Sequence, residues 1–163
     1  MVIVMIRVGI GQDSHRFIRK GKKRLVLGGV IIPYEKGLEG NSDGDVVLHA
    51  IFNALSQAIG KRSIGFYSDK MCREGIKNSR EYLKLALKMV KEGGYRINNV
   101  GMMIEAKKPK IEPYVDDMKK SIAEILMITQ DMVGITATSG EGLTAFGRGM
   151  GIQAFAIATV VRC

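Results

Sequence analysis

The sequence has no tryptophan, two cysteines and two histidines among its 163 residues. Cys72 and Cys163 stand far apart, so neither a disulfide framework nor a zinc ribbon is indicated. No apolar run approaches the roughly 20 residues of a membrane span, and Arg7 interrupts the N-terminal MVIVMI too early for a signal-peptide core. These absences predict a cytoplasmic protein with no membrane partner.

Acidic residues are few relative to basic ones, 16 against 25, which gives a formal net charge of +9. Such a charge indicates an anionic partner (nucleic acid, a membrane surface or a phosphorylated small molecule), although a solvated basic surface gives the same composition. The basic residues are scattered, and only 6% of the residues are aromatic, which leaves little for base stacking. These features argue against a nucleic-acid partner, while the charge alone does not decide between the other partners and a solvated surface.

Strand-like and helix-like patterns alternate along a chain whose length suits one domain, residues 1–163. Strands are predicted at 2–10, 24–32, 97–106, 132–139 and 151–161, and helices at 43–60, 79–94 and 113–128. Segment 24–32 is one strand or a hairpin bent at Gly28 and Gly29. The expected helix N-caps are Ser42 or Asp43, and Ser79. The pattern predicts an α/β (α+β-like) fold, a single mixed β-sheet with helices packed on one face.

Both histidines fall where they can join one carboxylate at a metal ion. Asp13 and His15 are two residues apart on an extended segment, so their side chains point to the same side. His49 lies in the first predicted helix, one turn after Asp45, whose carboxylate either accepts the spare imidazole N–H or stabilises the helix start. One carboxylate and two imidazoles leave one position of a tetrahedral zinc ion open, as in catalytic sites. The alternative, two histidines that never meet, is not excluded by spacing.

Two further segments have the composition of anion-binding loops. In ATSGEG, residues 137–142, hydroxyl groups and glycine amides can surround an anion beside Glu141, although a Ser-Gly turn is often only a turn. EAKKPKIEP, residues 105–113, is either a solvated basic loop or a segment whose backbone and Lys110 hold a base or a diphosphate. FGRGMG, residues 146–151, leads into a strand and so does not fit a dinucleotide fingerprint.

The segments RVGIGQDSHRF, LEGNSDGDVVLHA, RSIG, IEAKKPKIEP and ATSGEGLTAFGRGMGI follow one another over essentially the whole chain. In this order they resemble the 2-C-methyl-D-erythritol 2,4-cyclodiphosphate synthases of the non-mevalonate isoprenoid pathway. The resemblance implies a phosphorus–oxygen lyase. Its substrate would be 4-diphosphocytidyl-2-C-methyl-D-erythritol 2-phosphate, whose 2-phosphate attacks the β-phosphorus of its own diphosphate and releases CMP. It also implies a homotrimer with each active site between neighbouring subunits.

The resemblance assigns roles to particular residues. Asp13, His15 and His49 would bind zinc or another divalent transition metal. Glu141 would contact a Mg²⁺ or Mn²⁺ ion that bridges the diphosphate. Asn41 and Ser139 would stabilise the transition state. The implied substrate-binding residues are Ser42, Ser63, Ile64, Gly65, Ala106, Pro109, Lys110, Ile111, Thr138, Gly140 and Arg148.

Several positions depart from the family pattern. Asn41 replaces a histidine; its amide can donate a hydrogen bond to phosphate but brings no positive charge, a loss of about 1–3 kcal/mol, or roughly ten- to a hundredfold in rate. Ser63 replaces the aspartate that holds the methylerythritol hydroxyls. The family's flexible lid is here FYSDKMC, in which Asp69 is the candidate substitute. The alternative is therefore a divergent zinc-dependent relative that binds a cytidine diphosphate but has a different or lost substrate.

Overall fold

The computed structural model describes residues 5–163, so the first residues of the predicted strand 2–10 lie outside the described residues. Six strands and four α-helices follow in chain order: β1 (Ile6–Arg16), β2 (Leu25–Leu27), β3 (Val30–Ile32), α1 (Val46–Ala58), α2 (Ile64–Arg73), α3 (Ser79–Glu92), β4 (Tyr95–Glu105), α4 (Val115–Leu126), β5 (Val133–Thr138) and β6 (Gly151–Arg162). The predicted helices correspond to α1, α3 and α4. The mixed α/β architecture is confirmed.

The main sheet is mixed and has the strand order β1-β6-β4-β5. Strand β6 pairs antiparallel with β1 and β4, and β4 pairs parallel with β5. The expectation of a single sheet was wrong, because β2 and β3 form a separate two-stranded sheet. Gly28 and Gly29 both have positive φ, which lets the chain reverse between these short strands. The hairpin alternative for segment 24–32 is therefore the one observed.

Helix α1 packs against the sheet with almost no side-chain layer between them. Along β1, Gly9 and Gly11 are buried while Val8 and Ile10 are exposed, so the glycines face the helix. A Cβ atom at Gly11 would overlap the carbonyl oxygen of Ala50 in α1. This close approach places the first turns of α1 beside the end of β1.

The helix starts differ from the expected ones. The N-cap of α1 is Asp45, whose carboxylate accepts the N–H groups of Val47 and Leu48, so neither Ser42 nor Asp43 takes this position. The N-cap of α3 is Asn78, one residue before the expected Ser79.

Helix α2 forms where the resemblance implied a flexible lid. It begins at Ile64, directly after Ser63, and includes Asp69. None of its residues is fully buried. Over residues 5–163 we find no helix that is long and apolar enough to span a membrane.

Candidate functional site

Strand β1 and helix α1 bring Asp13, His15 and His49 together. The Asp13 carboxylate oxygen Oδ2 lies 3.1 Å from His15 Nε2 and 2.8 Å from His49 Nδ1. One ligand atom from each residue lies within 4.8 Å of the others, a spacing that can hold a metal ion. The donor set of one oxygen and two nitrogen atoms suits a divalent transition metal such as zinc.

A hydrogen-bond chain behind His49 fixes its ring. His49 Nε2 lies 2.7 Å from Ser79 Oγ, and the Ser79 hydroxyl donates to the Asp43 carboxylate. The Ser79 backbone N–H also donates to Asp43, at 2.9 Å. Since the hydroxyl proton is directed to Asp43, Ser79 Oγ can accept the Nε2 proton of His49. A neutral His49 then carries its proton on Nε2 and has its Nδ1 lone pair free for a metal ion. This is the tautomer that a metal ligand requires.

The electrostatics of the cluster keep its carboxylate ionised. Burial alone would raise the pKa of Asp13, but the hydrogen bonds from His15 and His49, together with their charges, lower this pKa to about 2. An ionised carboxylate at neutral pH is the form that binds a cation.

Of the two roles expected for Asp45, the structure shows the one at the helix start, and Ser79 instead of Asp45 contacts the His49 imidazole. In addition to its two helix contacts, the Asp45 carboxylate accepts the backbone N–H groups of Gly28 at 2.9 Å and Gly29 at 2.6 Å. Full burial and the neighbouring Asp43 raise the pKa of Asp45 to about 6. Ser79 takes the place beside His49 because α3 brings it there.

The loop before α1 places Asn41 close to the metal cluster. Its neighbour Gly40 lies against His15, since a Cβ atom at Gly40 would be 3.4 Å from the imidazole Cε1. Ser42 Oγ accepts the Gly44 N–H at 3.1 Å and lies 3.5 Å from His49 Nε2. An open cavity of about 620 Å³ is lined by Gly40, Asn41, Asp69, Cys72, Arg73 and Lys77.

Ser63, at the position where the family pattern has aspartate, lines a different cavity. Ser63 is exposed at the start of α2, and the Ile64 N–H donates to Asn53 Oδ1 at 2.8 Å. Ser63 lines a cavity of about 280 Å³ with Asn53 and other polar residues, whereas Asn41 and Asp69 line the larger one. Gly65 follows in the first turn of α2.

The remaining candidate residues gather where β4 and β5 end. The Ala106 N–H donates to the Thr138 carbonyl at 3.0 Å, which joins the two segments. The Ser139 hydroxyl lies 3.3 Å from the Glu141 carboxylate, to which it donates.

Beyond Ala106, Lys108–Pro109 is a cis peptide bond, Lys110 is exposed and Ile111 is buried. Arg148 is exposed and donates from Nη1 to the Leu143 carbonyl at 3.2 Å, and Gly140 has a φ of +75°.

The buried side chain of Glu105 supports the candidate residues at the ends of β4 and β5. Its buried carboxylate accepts hydrogen bonds from Thr144 Oγ1 and Gln153 Nε2. A Cβ atom at Gly140 would overlap that carboxylate, so the turn before Glu141 requires glycine both for its space and for its positive φ. The composition of ATSGEG indicated a turn but not this contact.

Within one chain, the group formed by Asp13, His15 and His49 and the group at the ends of β4 and β5 do not form a single site. His15 pairs with Ile152, Glu105 with Gln153, and Glu105 with Thr138, so both groups lie at the same end of the sheet. Three strand intervals of about 4.8 Å separate β1 from β5, or about 14 Å. Moreover, His15 lies on the face covered by α1, and the alternation along the strands places Glu105 and Thr138 on the opposite face.

Two functional candidates escaped the sequence analysis. Ser79 was expected only as a helix cap, and Asp43 as another, yet together they hold His49. Nothing in the local sequence indicates this, because Ser79 is 30 residues from His49 and reaches it only through the packing of α3 on α1.

Comparison with known proteins identifies a sequence family, relatives and solved structures to which this chain is similar. A sequence model of the YgbB family matches residues 6–161. The 2-C-methyl-D-erythritol 2,4-cyclodiphosphate synthase of Chlamydia trachomatis serovar L2b (strain UCH-1/proctitis) is 46% identical over 157 residues, which are 95% of this chain and 88% of that protein. The bifunctional IspDF of Campylobacter jejuni superposes with a TM-score of 0.91 and 31% identity, over 99% of this chain and 43% of that one. IspF of Plasmodium falciparum, in a CDP complex, gives a TM-score of 0.84 and 29% identity, over 96% of each chain.

Proposed function

This chain belongs to the YgbB family of 2-C-methyl-D-erythritol 2,4-cyclodiphosphate synthases, and on that basis we propose which of its residues carry out the reaction. The enzyme is a lyase of non-mevalonate isoprenoid biosynthesis. It converts 4-diphosphocytidyl-2-C-methyl-D-erythritol 2-phosphate to 2-C-methyl-D-erythritol 2,4-cyclodiphosphate with release of CMP. The observation that carries this conclusion within the structure is the convergence of Asp13, His15 and His49 beside the loop that contains Asn41.

The metal ligands fit the ion that this chemistry needs. Asp13, His15 and His49 would hold zinc, and Glu141 would contact Mg²⁺ or Mn²⁺ at the diphosphate. When bound, these ions neutralise and polarise the phosphate oxygens. Three protein ligands leave a coordination position open to substrate. The tautomer of His49, fixed by Ser79, supports this assignment.

The chain's own residues mainly orient a flexible substrate. The attacking 2-phosphate is already ionised at neutral pH, so alignment and charge neutralisation matter more than a general base. We assign the Asn41 amide and the Ser139 hydroxyl as donors to phosphate oxygens in the transition state. Ser42, with Ser63, Ile64 and Gly65 at the start of α2, would bind the methylerythritol part.

The segment 106–111 and the turn 138–140 form the nucleotide side of this proposal. Ala106, Pro109, Lys110 and Ile111 would hold the cytidine, and Thr138 and Gly140 the diphosphate, with Arg148 near the phosphates or the centre of the assembly. The CDP complex of the similar Plasmodium falciparum protein supports a cytidine diphosphate as the ligand class.

We further propose a homotrimer whose active sites lie between subunits. Two observations support it. The two groups of site residues in one chain lie about 14 Å apart on opposite faces of the sheet, so a second copy is needed to bring complementary halves together. The uncovered face also exposes a set of apolar side chains that a partner would bury: Ile6, Val8, Ile10, Met103, Phe155 and Ile157. Each subunit would be one domain, residues 1–163, and the enzyme cytoplasmic.

The reaction is tested by measuring CMP release and cyclic diphosphate formation with zinc-loaded protein and Mg²⁺, beside a His49→Ala variant. We expect product from the parent protein and none from the variant, because the variant lacks one of the three zinc ligands. A parent protein that binds CDP but releases no CMP would contradict the proposed activity.

A further inference from the structure

The loop of residues 39–43, here called the Asn41 loop, is anchored at both ends. At its start, the Glu39 N–H donates to the Arg16 carbonyl at 2.8 Å, which ties the loop to the end of β1. At its end, the Asp43 N–H donates to the Lys77 carbonyl at 2.9 Å, just before α3. The middle of the loop therefore spans the gap between the sheet and α3.

The side chain of Lys23 binds the backbone in the middle of this loop. Lys23 Nζ donates to the Ser42 carbonyl at 2.8 Å and to the Gly40 carbonyl at 3.3 Å. These carbonyls belong to the residues on either side of Asn41. The loop is otherwise open to solvent here, since Gly40 and Asn41 are both exposed. The ammonium group thus binds the Gly40–Asn41 peptide unit, which leads into Asn41, and the Ser42–Asp43 peptide unit just beyond it.

The position of these peptide units decides where Asn41 lies relative to the metal ligands. Gly40 lies against His15, and Ser42 Oγ is 3.5 Å from His49 Nε2. A donor in a transition state loses much of its effect when it moves by about 1 Å. A contact that holds the loop in place therefore also holds the Asn41 side chain in place relative to the reacting phosphates.

The surroundings of Lys23 are those of a charged side chain that contacts the protein rather than one that extends into solvent. Lys23 is half-buried, whereas the adjacent Lys22 is exposed. Burial lowers the pKa of Lys23, Asp43 raises it and Lys77 lowers it further. The ammonium also brings a positive charge to a loop whose central side chain, Asn41, is neutral.

We propose that Lys23 is a positioning residue for the reaction: by binding the Gly40 and Ser42 carbonyls it holds Asn41 at the phosphates. The inference rests on the proposed function of the site. It predicts that Lys23 acts through Asn41 and not on metal binding, because its contacts are to the loop backbone and not to Asp13, His15 or His49.

The test compares Lys23→Met, Lys23→Arg and the neighbouring control Lys22→Met in the full-length, zinc-loaded protein. For Lys23→Met we expect kcat to fall about tenfold with KM and zinc affinity nearly unchanged, partial recovery in Lys23→Arg, and little effect of Lys22→Met. In an Asn41→Ala background, Lys23→Met should lower kcat less than twofold, because the residue it positions is gone. Parental kcat in Lys23→Met, or an equal loss in both backgrounds, would overturn the inference.

Hydrogen exchange tests the same contact without any turnover. Amides in segment 39–43 should exchange faster in Lys23→Met than in the parent or in Lys22→Met, while exchange in α1 stays unchanged. Unchanged exchange in segment 39–43 would also overturn the inference. If the parent protein forms no cyclic diphosphate, the proposed function fails, and the exchange experiment still decides whether Lys23 holds the loop.

Discussion

At the level of single side chains, the metal cluster depends on the direction in which one hydroxyl group donates. Ser79 can give its proton to only one acceptor, and the Asp43 carboxylate takes it. The oxygen of Ser79 is then left to accept from His49, which frees Nδ1 for the metal. Buried polar groups that support a ligand in this way commonly change metal affinity by 10- to 100-fold.

Replacing Ser79 with alanine should therefore weaken zinc binding by about 10- to 100-fold, because His49 loses the acceptor that fixes its tautomer. Competition with a chromophoric chelator measures this affinity directly. Ser121→Ala is the matched control, a buried serine that accepts from Arg80 Nη2 at 2.9 Å and lies outside the metal cluster. Equal zinc affinity in the two variants would show that Ser79 does not support the ligand.

The second prediction about a single side chain concerns Asn41. Asn41→His should raise kcat by roughly ten- to a hundredfold, since a protonated imidazole adds a charge-assisted hydrogen bond worth about 1–3 kcal/mol. Asn41→Ala should lower kcat below the parent value, because no donor remains. Steady-state CMP release gives both values. A histidine variant no faster than the alanine variant would mean that position 41 does not face the phosphates.

Single residues also show what the sequence can and cannot predict. Asp13 and His15 were identified because they are two residues apart, and His49 because it is the one other histidine. Ser79 and Lys23 were not identified, since the atoms they bind belong to residues 17 to 36 positions away in sequence. Their roles come from the packing of α3 and from the course of the loop, which no local pattern encodes.

Among the elements, α1 determines the geometry of the metal site because it carries His49. Its distance from β1 is set by Gly9 and Gly11, which let the helix backbone touch the strand. The strand and the helix were both predictable from apolar periodicity, whereas the close packing was not, since glycine is equally common in turns. Helix α2, which buries no residue fully, was not predicted.

Gly11→Ala should lower the free energy of unfolding by at least about 2 kcal/mol, because the new methyl group overlaps the backbone of α1 and the helix must shift. Zinc affinity should fall with it, as His49 moves away from Asp13. Gly134→Ala in β5 is the control, since its nearest neighbour would be 4.0 Å away and its φ is not positive. Urea denaturation compares the two variants. A stable Gly11→Ala protein with parental zinc affinity would contradict this packing.

At the scale of the whole molecule, the two faces of the main sheet differ in what covers them and in the residues they carry. One face is covered by the helices and carries Asp13, His15 and His49, and the other exposes apolar residues. The sequence showed the alternation along the strands but not which strands lie next to each other. The order β1-β6-β4-β5, which separates the two halves of the site, therefore required the structure.

Ile157→Lys should dissociate the proposed homotrimer, because it introduces a charge beside Ile10 on the uncovered face. Sedimentation should show a monomer that retains zinc but releases little CMP, since each site needs residues from a second copy. Ile31→Lys, at another exposed isoleucine, on β3, should leave the assembly intact. A fully active monomer would contradict the placement of the site between subunits.

The most direct test of the central claim follows the phosphorus atoms of the substrate. ³¹P NMR of 4-diphosphocytidyl-2-C-methyl-D-erythritol 2-phosphate with the zinc- and magnesium-loaded protein distinguishes cyclisation from hydrolysis. If the 2-phosphate attacks its own diphosphate, the phosphomonoester signal of the substrate disappears, and the signals of a cyclic diphosphate and of CMP replace it. If water attacks instead, CMP forms while the 2-phosphate signal persists, and the assigned reaction would be wrong.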